Sequence, residues 1–296
     1  MKKYAILNML NDIQLTPPLN SFKLNNFIIC DNEYLKNVYP SLGKNGFNDD
    51  YKYLIYETNE NIKSKSFENK FTNIINDFIN IFLYFNAKKI YSKSVYGSFF
   101  KRHQNEELHF SYTDISFSSK IESYSIKNHK YKIDEKIFKA KGNNKKLFNY
   151  IENEPPTEIE RKIKLAVSWI GQSLEKANLD EAYMELCIAL ETLLSGYNSP
   201  MERGTAYQLR EYGAFLATKN KNKRVSIYND LKILYNIRCT ISHSGIAKKL
   251  TTKEYYRLLK ILKAIINELF ILLETKNITT HKKLQDYIDE IKFENK

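Results

Sequence analysis

From Thr157 to the C-terminus, apolar residues recur at helical spacing almost without a break, which commits this half of the chain to packed helices. Pro155-Pro156 blocks any earlier helix, and Thr157 with Glu160 three residues on spells a capping box. The first stripe runs through Ile163, Ala166, Val167, Trp169 and Ile170 to Leu174. A second begins near Asp180 and carries Leu186, Ala189, Leu190, Leu193 and Leu194, with Gly196 as its stop. A third, over about 201–218, holds Arg203, Arg210 and Phe215. Beyond the basic loop 219–224 a fourth runs from about Val225 to His243. Thr251 and Glu254 form a second capping box, ahead of a stripe from Leu258 to Leu272, and a short helix covers about 281–293. The pattern predicts an all-α bundle over residues 155–296.

Residues 1–154 read differently. Pro17-Pro18, Pro40, Gly43 and Gly46 break the first 60 residues, between which Phe27–Cys30 and Tyr51–Tyr56 have strand composition. Phe67, Phe71, Ile74, Ile75, Phe78, Ile81, Phe82 and Phe85 then mark one face of an amphipathic helix. Alternation returns in 91–100 and 108–117, which predicts a hairpin joined by the charged segment 101–107 with His103 at its tip. The lysine-rich stretch 120–150 reads as further strand and loop, with Gly142-Asn-Asn144 as a turn. The expectation is an α+β chain: a mixed N-terminal domain, 1–154, followed by the helical bundle, 155–296.

Apolar residues make up 43% of the chain, enough for folded cores. The formal charge of +12 favours a polyanionic partner such as RNA, although a solvated lysine-rich surface has the same composition. Charges interrupt every long apolar stretch and the N-terminus lacks a leader pattern, so a cytoplasmic protein without a membrane span is expected. Cys30, Cys187 and Cys239 have no metal-like spacing, and no phosphate-cradling glycine loop or nucleophile elbow is present. Neither a metal nor a cofactor is expected.

The chemistry concentrates in Tyr235-Asn-Ile-Arg-Cys-Thr-Ile-Ser-His-Ser-Gly245, at the end of the fourth helix. Arg238 precedes His243 by five positions, a rotation of roughly 500°, which leaves the two side chains about 140° apart on a regular helix. They converge within one chain only if the helix loosens at His243, and Ser244-Gly245 is a sequence that permits it. Glu191, inside the apolar run Ala189–Leu194, needs a partner if half-buried, and Arg238 or Arg203 can supply it.

This segment, with Ala189-Leu-Glu-Thr-Leu-Leu194 two helices earlier, resembles the HEPN domain superfamily and within it the ApeA-like branch, over roughly residues 158–275. The resemblance implies a metal-independent endoribonuclease in which Arg238 and His243 are the catalytic pair. Glu191, Cys239, Ser242 and Arg203 are then supporting residues. Cys239 stands where many active members carry a polar residue; its size approximates serine, but it hydrogen-bonds weakly. Histidine titrates near neutral pH, and arginine presents a planar charged fork to phosphate oxygens. One histidine cannot serve both sides of the phosphorus, and the resemblance implies a homodimer in which two Arg/His sets line one cleft. It further implies defence against phage by cleavage of tRNA or other RNA, with a phage-derived trigger acting on the N-terminal domain. Two rival readings are a non-catalytic module that binds nucleic acid or a protein partner, and the toxin of a toxin–antitoxin pair.

Overall fold

The computed structural model describes residues 4–10, 13–15, 21–38, 52–58, 65–86, 100–104, 107–111, 131–133, 143–176, 178–196, 205–245 and 250–293. The chain is of mixed α+β class and divides into two compact units. One comprises residues 1–75 and 88–145, the other 76–87 and 146–296. The division thus falls at 145/146 rather than 154/155, and the second unit also takes in part of an earlier helix.

In the first unit β1 (Tyr4–Leu10), β3 (Ser21–Leu24), β4 (Phe27–Cys30) and β5 (Lys52–Thr58) form an antiparallel sheet in the order β1-β5-β4-β3. Ile28 stands opposite Ile55 and Ile29 opposite Leu54, all buried. Asn25, at φ 52°, makes the tight turn between β3 and β4, a backbone region that asparagine tolerates better than most residues. A short α1 (Asn32–Val38) follows β4, and β2 (Ile13–Leu15) pairs in parallel with β8 (Tyr131–Ile133).

The expected hairpin is displaced. Its strands are β6 (Phe100–Gln104) and β7 (Glu107–Ser111), so the charged residues 101–104 lie in a strand and not in the connection. His103 therefore faces Leu108 across the ladder, and His109 faces Arg102. Alternation is stronger in the flanks than in the charged centre, yet the ladder spans 100–104 and 107–111. The flanking segments 91–99 and 112–117 lie outside the described residues.

The second unit is helical. Besides the C-terminal part of α2 (Lys65–Asn86) it contains most of α3 (Asn143–Glu152), and α4 (Glu158–Glu175), α5 (Leu179–Leu194), α6 (Thr205–Ala217), α7 (Lys221–Ser244), α8 (Thr252–Lys276) and α9 (His281–Phe293). Helix α3 replaces the loop expected there. Its lysines and asparagines mask an apolar set of Leu147, Phe148, Tyr150 and Ile151, all buried, and Phe148 packs against Phe78 and Phe85 of α2. Tertiary burial decides that segment over its weak local propensity. Both capping boxes form as the sequence requires, at Thr157/Glu160 and Thr251/Glu254. Helices α4 and α2 meet at Gly171, where an added Cβ would lie 2.4 Å from the Cα of Asn80, so only glycine permits that approach. Asn80 donates to Ser168 at 3.1 Å beside this contact.

Candidate active site

The site is built on two helices. Along α5, Tyr183, Met184, Cys187 and Glu191 recur at three- and four-residue spacing and share one face. On α7 the residues that meet this face are Leu234, Tyr235, Arg238 and Ser242. Four contacts fix the register: Tyr183 Oη donates to the Leu234 carbonyl at 2.8 Å, and Tyr235 Oη donates to Glu191 Oε1 at 3.2 Å. Arg238 Nε lies 3.2 Å from the same carboxylate oxygen, and the Ser242 hydroxyl lies 4.0 Å from Met184 Sδ.

Arg238 is thus held from two sides. Its Nη1 donates to Ser242 Oγ at 3.2 Å, one turn further along α7. The guanidinium carbon sits 5.7 Å from the centre of the Tyr235 ring, within cation–π range. The Nε pairs with Glu191 by charge but its N–H is off the line of a hydrogen bond, so this buried donor is left undersatisfied. About 29% of the Arg238 side chain remains exposed. The arginine is oriented but still open to solvent, so an incoming anion would not have to displace a fully satisfied pair. Burial, then the adjacent Glu191 charge, holds the Tyr235 phenol above its usual range, so this residue stays a donor to Glu191.

His243 is exposed, and the helix does not loosen to bring it inward. Helix α7 remains regular through Ser244, and Gly245, at φ 75°, ends it with its N–H on the Ile241 carbonyl at 2.7 Å. The expectation of a loosened turn at His243 is therefore overturned: Ile241 is buried and pins the last turn, and the break comes two residues later. Arg238 and His243 point about 140° apart on this helix and do not meet within one chain.

The expected partnership of Glu191 with Arg238 is present; Arg203 lies outside the described residues. Cys239 is half-exposed, and Ser242 contacts the arginine directly. Tyr235 and Met184 are contributors that sequence reasoning did not single out as site residues. For Tyr235 the signal was available, since it precedes Cys239 by one turn on the face that carries Ser242. No helix among the described residues is long and apolar enough to cross a membrane. Compared with family models, curated proteins and solved structures, the chain has no match.

Proposed function

We propose that this protein is a metal-independent endoribonuclease of HEPN type, with Arg238 and His243 as its catalytic residues. The observation that carries the reading is the half-open guanidinium of Arg238, steered by Glu191, Tyr235 and Ser242, on the same helix as a solvent-exposed His243. Arginine supplies the cation for the pentavalent phosphate; one protomer's histidine takes the proton of the ribose 2′-hydroxyl and the other's gives a proton to the leaving 5′-oxygen. Because the two side chains diverge on one helix, the reading places the complete site between two copies, each giving its own Arg238 and His243.

His243 lies on the exposed face of α7, the side away from Arg238. Val225 and Ile233 are 65% and 54% exposed there, followed by Asn229, Asn236 and Thr240. On that face between Val225 and Thr240, Lys232 at its edge is the one exposed lysine, arginine or carboxylate. A two-fold axis sets like residues near one another, so a face poor in charge is compatible with it. The net charge of +12 suits an RNA substrate, for which tRNA is the first candidate, and the biological reading is phage defence in the cytoplasm with the N-terminal unit as receiver of the trigger.

Purified protein is incubated with total tRNA in EDTA. Cleavage leaving 2′,3′-cyclic phosphate ends, abolished by Arg238→Ala and by His243→Ala, is the expected result. Absence of cleavage with every RNA and candidate trigger would overturn the proposal. The internal Arg238–Glu191 ion pair favours a second reading, a non-catalytic module in which the arginine is structural. On that reading both variants retain RNA or partner binding and no cleavage is ever seen.

A further inference from the structure

Cys187 and Cys239 are two of the chain's three cysteines, and the contacts between α5 and α7 bracket both. On α5, Cys187 lies one turn from Tyr183 and one turn from Glu191, both of which reach α7. On α7, Cys239 follows Tyr235 by four residues and precedes Ser242 by three, and both of those touch α5. Taking Tyr235 as zero, helix geometry sets Cys239 at about +40° and Ser242 at about −20°, so Cys239 lies at the edge of the contacting face. Cys187 is 2% exposed, and its thiol feels the charges of Glu191 and Arg238 and the presence of Cys239. Packed helices lie about 8–10 Å apart with Cα atoms about 2.3 Å from each axis, so facing Cα atoms approach to about 3–5 Å and one at the edge of the face, like that of Cys239, to about 6 Å, within disulfide reach.

We propose that Cys187 and Cys239 are a redox-modification site, at which a hydroperoxide drives formation of a disulfide joining α5 to α7 beside the Arg238–Glu191 pair. Cys239, half-exposed, meets the oxidant first. Its thiolate attacks one peroxide oxygen, the O–O bond breaks, and a sulfenic acid forms as hydroxide leaves and takes up the proton released by the thiol. The Cys187 sulfur then attacks the sulfenic sulfur. The S–S bond forms, the S–O bond breaks, and the departing hydroxide leaves as water with the Cys187 proton. Two electrons from the two thiols reduce one hydroperoxide, with two molecules of water formed when it is hydrogen peroxide. Burial pushes the Cys187 thiol pKa up and shields it from solvent, which fixes the order of the two steps.

The bond would tether α7 at the residue after Arg238 and one turn before His243. It thereby acts on both residues assigned to catalysis. The thiol chemistry stands independently of the nuclease reading, whereas its effect on cleavage rests on it.

Full-length protein is treated with hydrogen peroxide, alkylated and digested with trypsin without reduction. The expected product is monomeric protein about 2 Da lighter, with the peptide 177–203 joined to 239–248, and dithiothreitol restores both thiols. Cys30 serves as the internal control and stays free. In Cys187→Ala the sulfenic acid on Cys239 loses its partner and is trapped by dimedone. Two free thiols after peroxide, a link through Cys30, or a Cys239–Cys239 link between two molecules would each overturn the proposal. If tRNA cleavage is measurable, oxidation lowers it and dithiothreitol returns it; a disulfide that forms where no cleavage exists supports the thiol site while counting against the nuclease reading.

Discussion

Two charged clusters in the helical unit use similar side chains to opposite ends. At the N-terminal end of α4, Lys162 and His281 are 6% and 7% exposed. Lys162 Nζ donates to the carbonyls of Thr192 and Ser195, closing the C-terminus of α5, and Glu158 accepts the backbone N–H of His281 at 3.0 Å. Neither ring nitrogen of His281 has a hydrogen-bond partner among the described residues. Burial, reinforced by the nearby Lys162 charge, lowers its pKa to about 4, so the ring is neutral at neutral pH. In the other cluster Arg238 keeps its charge half in water beside Glu191, and His243 stands in solvent. The buried cluster holds a helix end in place; the open one leaves a cation and a titratable group accessible. The two are mechanically linked, because the helix end that Lys162 closes belongs to α5, which carries Glu191.

The largest effects should separate the two histidines. His243→Ala is expected to lower RNA cleavage by about 10²–10⁴-fold, the usual loss on removing a general acid or base. Its stability should stay within about 0.5 kcal/mol of the parent, as for an exposed side chain. Cleavage assays beside thermal melts check this, and an unchanged rate would make His243 as inert chemically as His281.

Acid should break the buried cluster first. His281 has a folded pKa of about 4 against an ordinary value near 6.5, so the unfolded chain takes up its proton first. The stability it contributes is present above about pH 6.5 and is lost as pH falls toward 4, a change of about 3 kcal/mol at most. Melting temperature followed from pH 7.5 to 4.5 should fall more steeply in the parent than in His281→Phe. Parallel curves would mean that the ring is solvated and the cluster is not closed.

Lys162→Met keeps the aliphatic stem but removes the donor to two half-buried helix-end carbonyls. A loss of about 1–3 kcal/mol is expected in urea unfolding. Because the damage falls on the last turn of α5, cleavage should decline through Glu191 only modestly compared with Arg238→Ala. A larger catalytic loss for Lys162→Met would erase the distinction between the clusters.

The open site was easier to read in the sequence than the closed one. Glu191 stood out as a carboxylate inside an apolar run, and such a residue advertises its need for a cation; Arg238 proved to be that cation. Capping residues marked where α4 and α8 begin because those rules act within four residues. Lys162 and His281 carried no such mark. Their partners are carbonyls and a carboxylate far away in sequence, and lysine on an amphipathic helix ordinarily reaches water. Helix α3 is illegible in the sequence for the same reason: its fate depends on Phe78 and Phe85, which only the fold brings near. His243 is a different case, since Ser244-Gly245 permits a loosened turn but Ile241, buried against the bundle, holds the last turn regular.

Glycines beside the two histidines give the finest test. Next to His281, a Cβ on Gly196 would fall 2.6 Å from the ring carbon Cδ2 and 2.8 Å from Nε2, so Gly196→Ala must displace a buried ring. About 1–3 kcal/mol of stability should be lost, with the pH dependence flattened as water reaches the imidazole. Next to His243, a Cβ on Gly245 would meet nothing within 4 Å, and the cost there comes only from its φ of 75°. Gly245→Ala should therefore cost only about 1 kcal/mol, from forcing a side chain into the left-handed region. Its effect should be local: the Gly245 N–H bond to Ile241 weakens, and the amides of 242–245 exchange faster while those of 231–238 do not. If cleavage depends on His243 being carried by a regular last turn, the rate should fall by more than that stability loss accounts for. An unchanged or higher rate would mean that a loosened helix end, with His243 free to swing toward Arg238, is the working geometry after all.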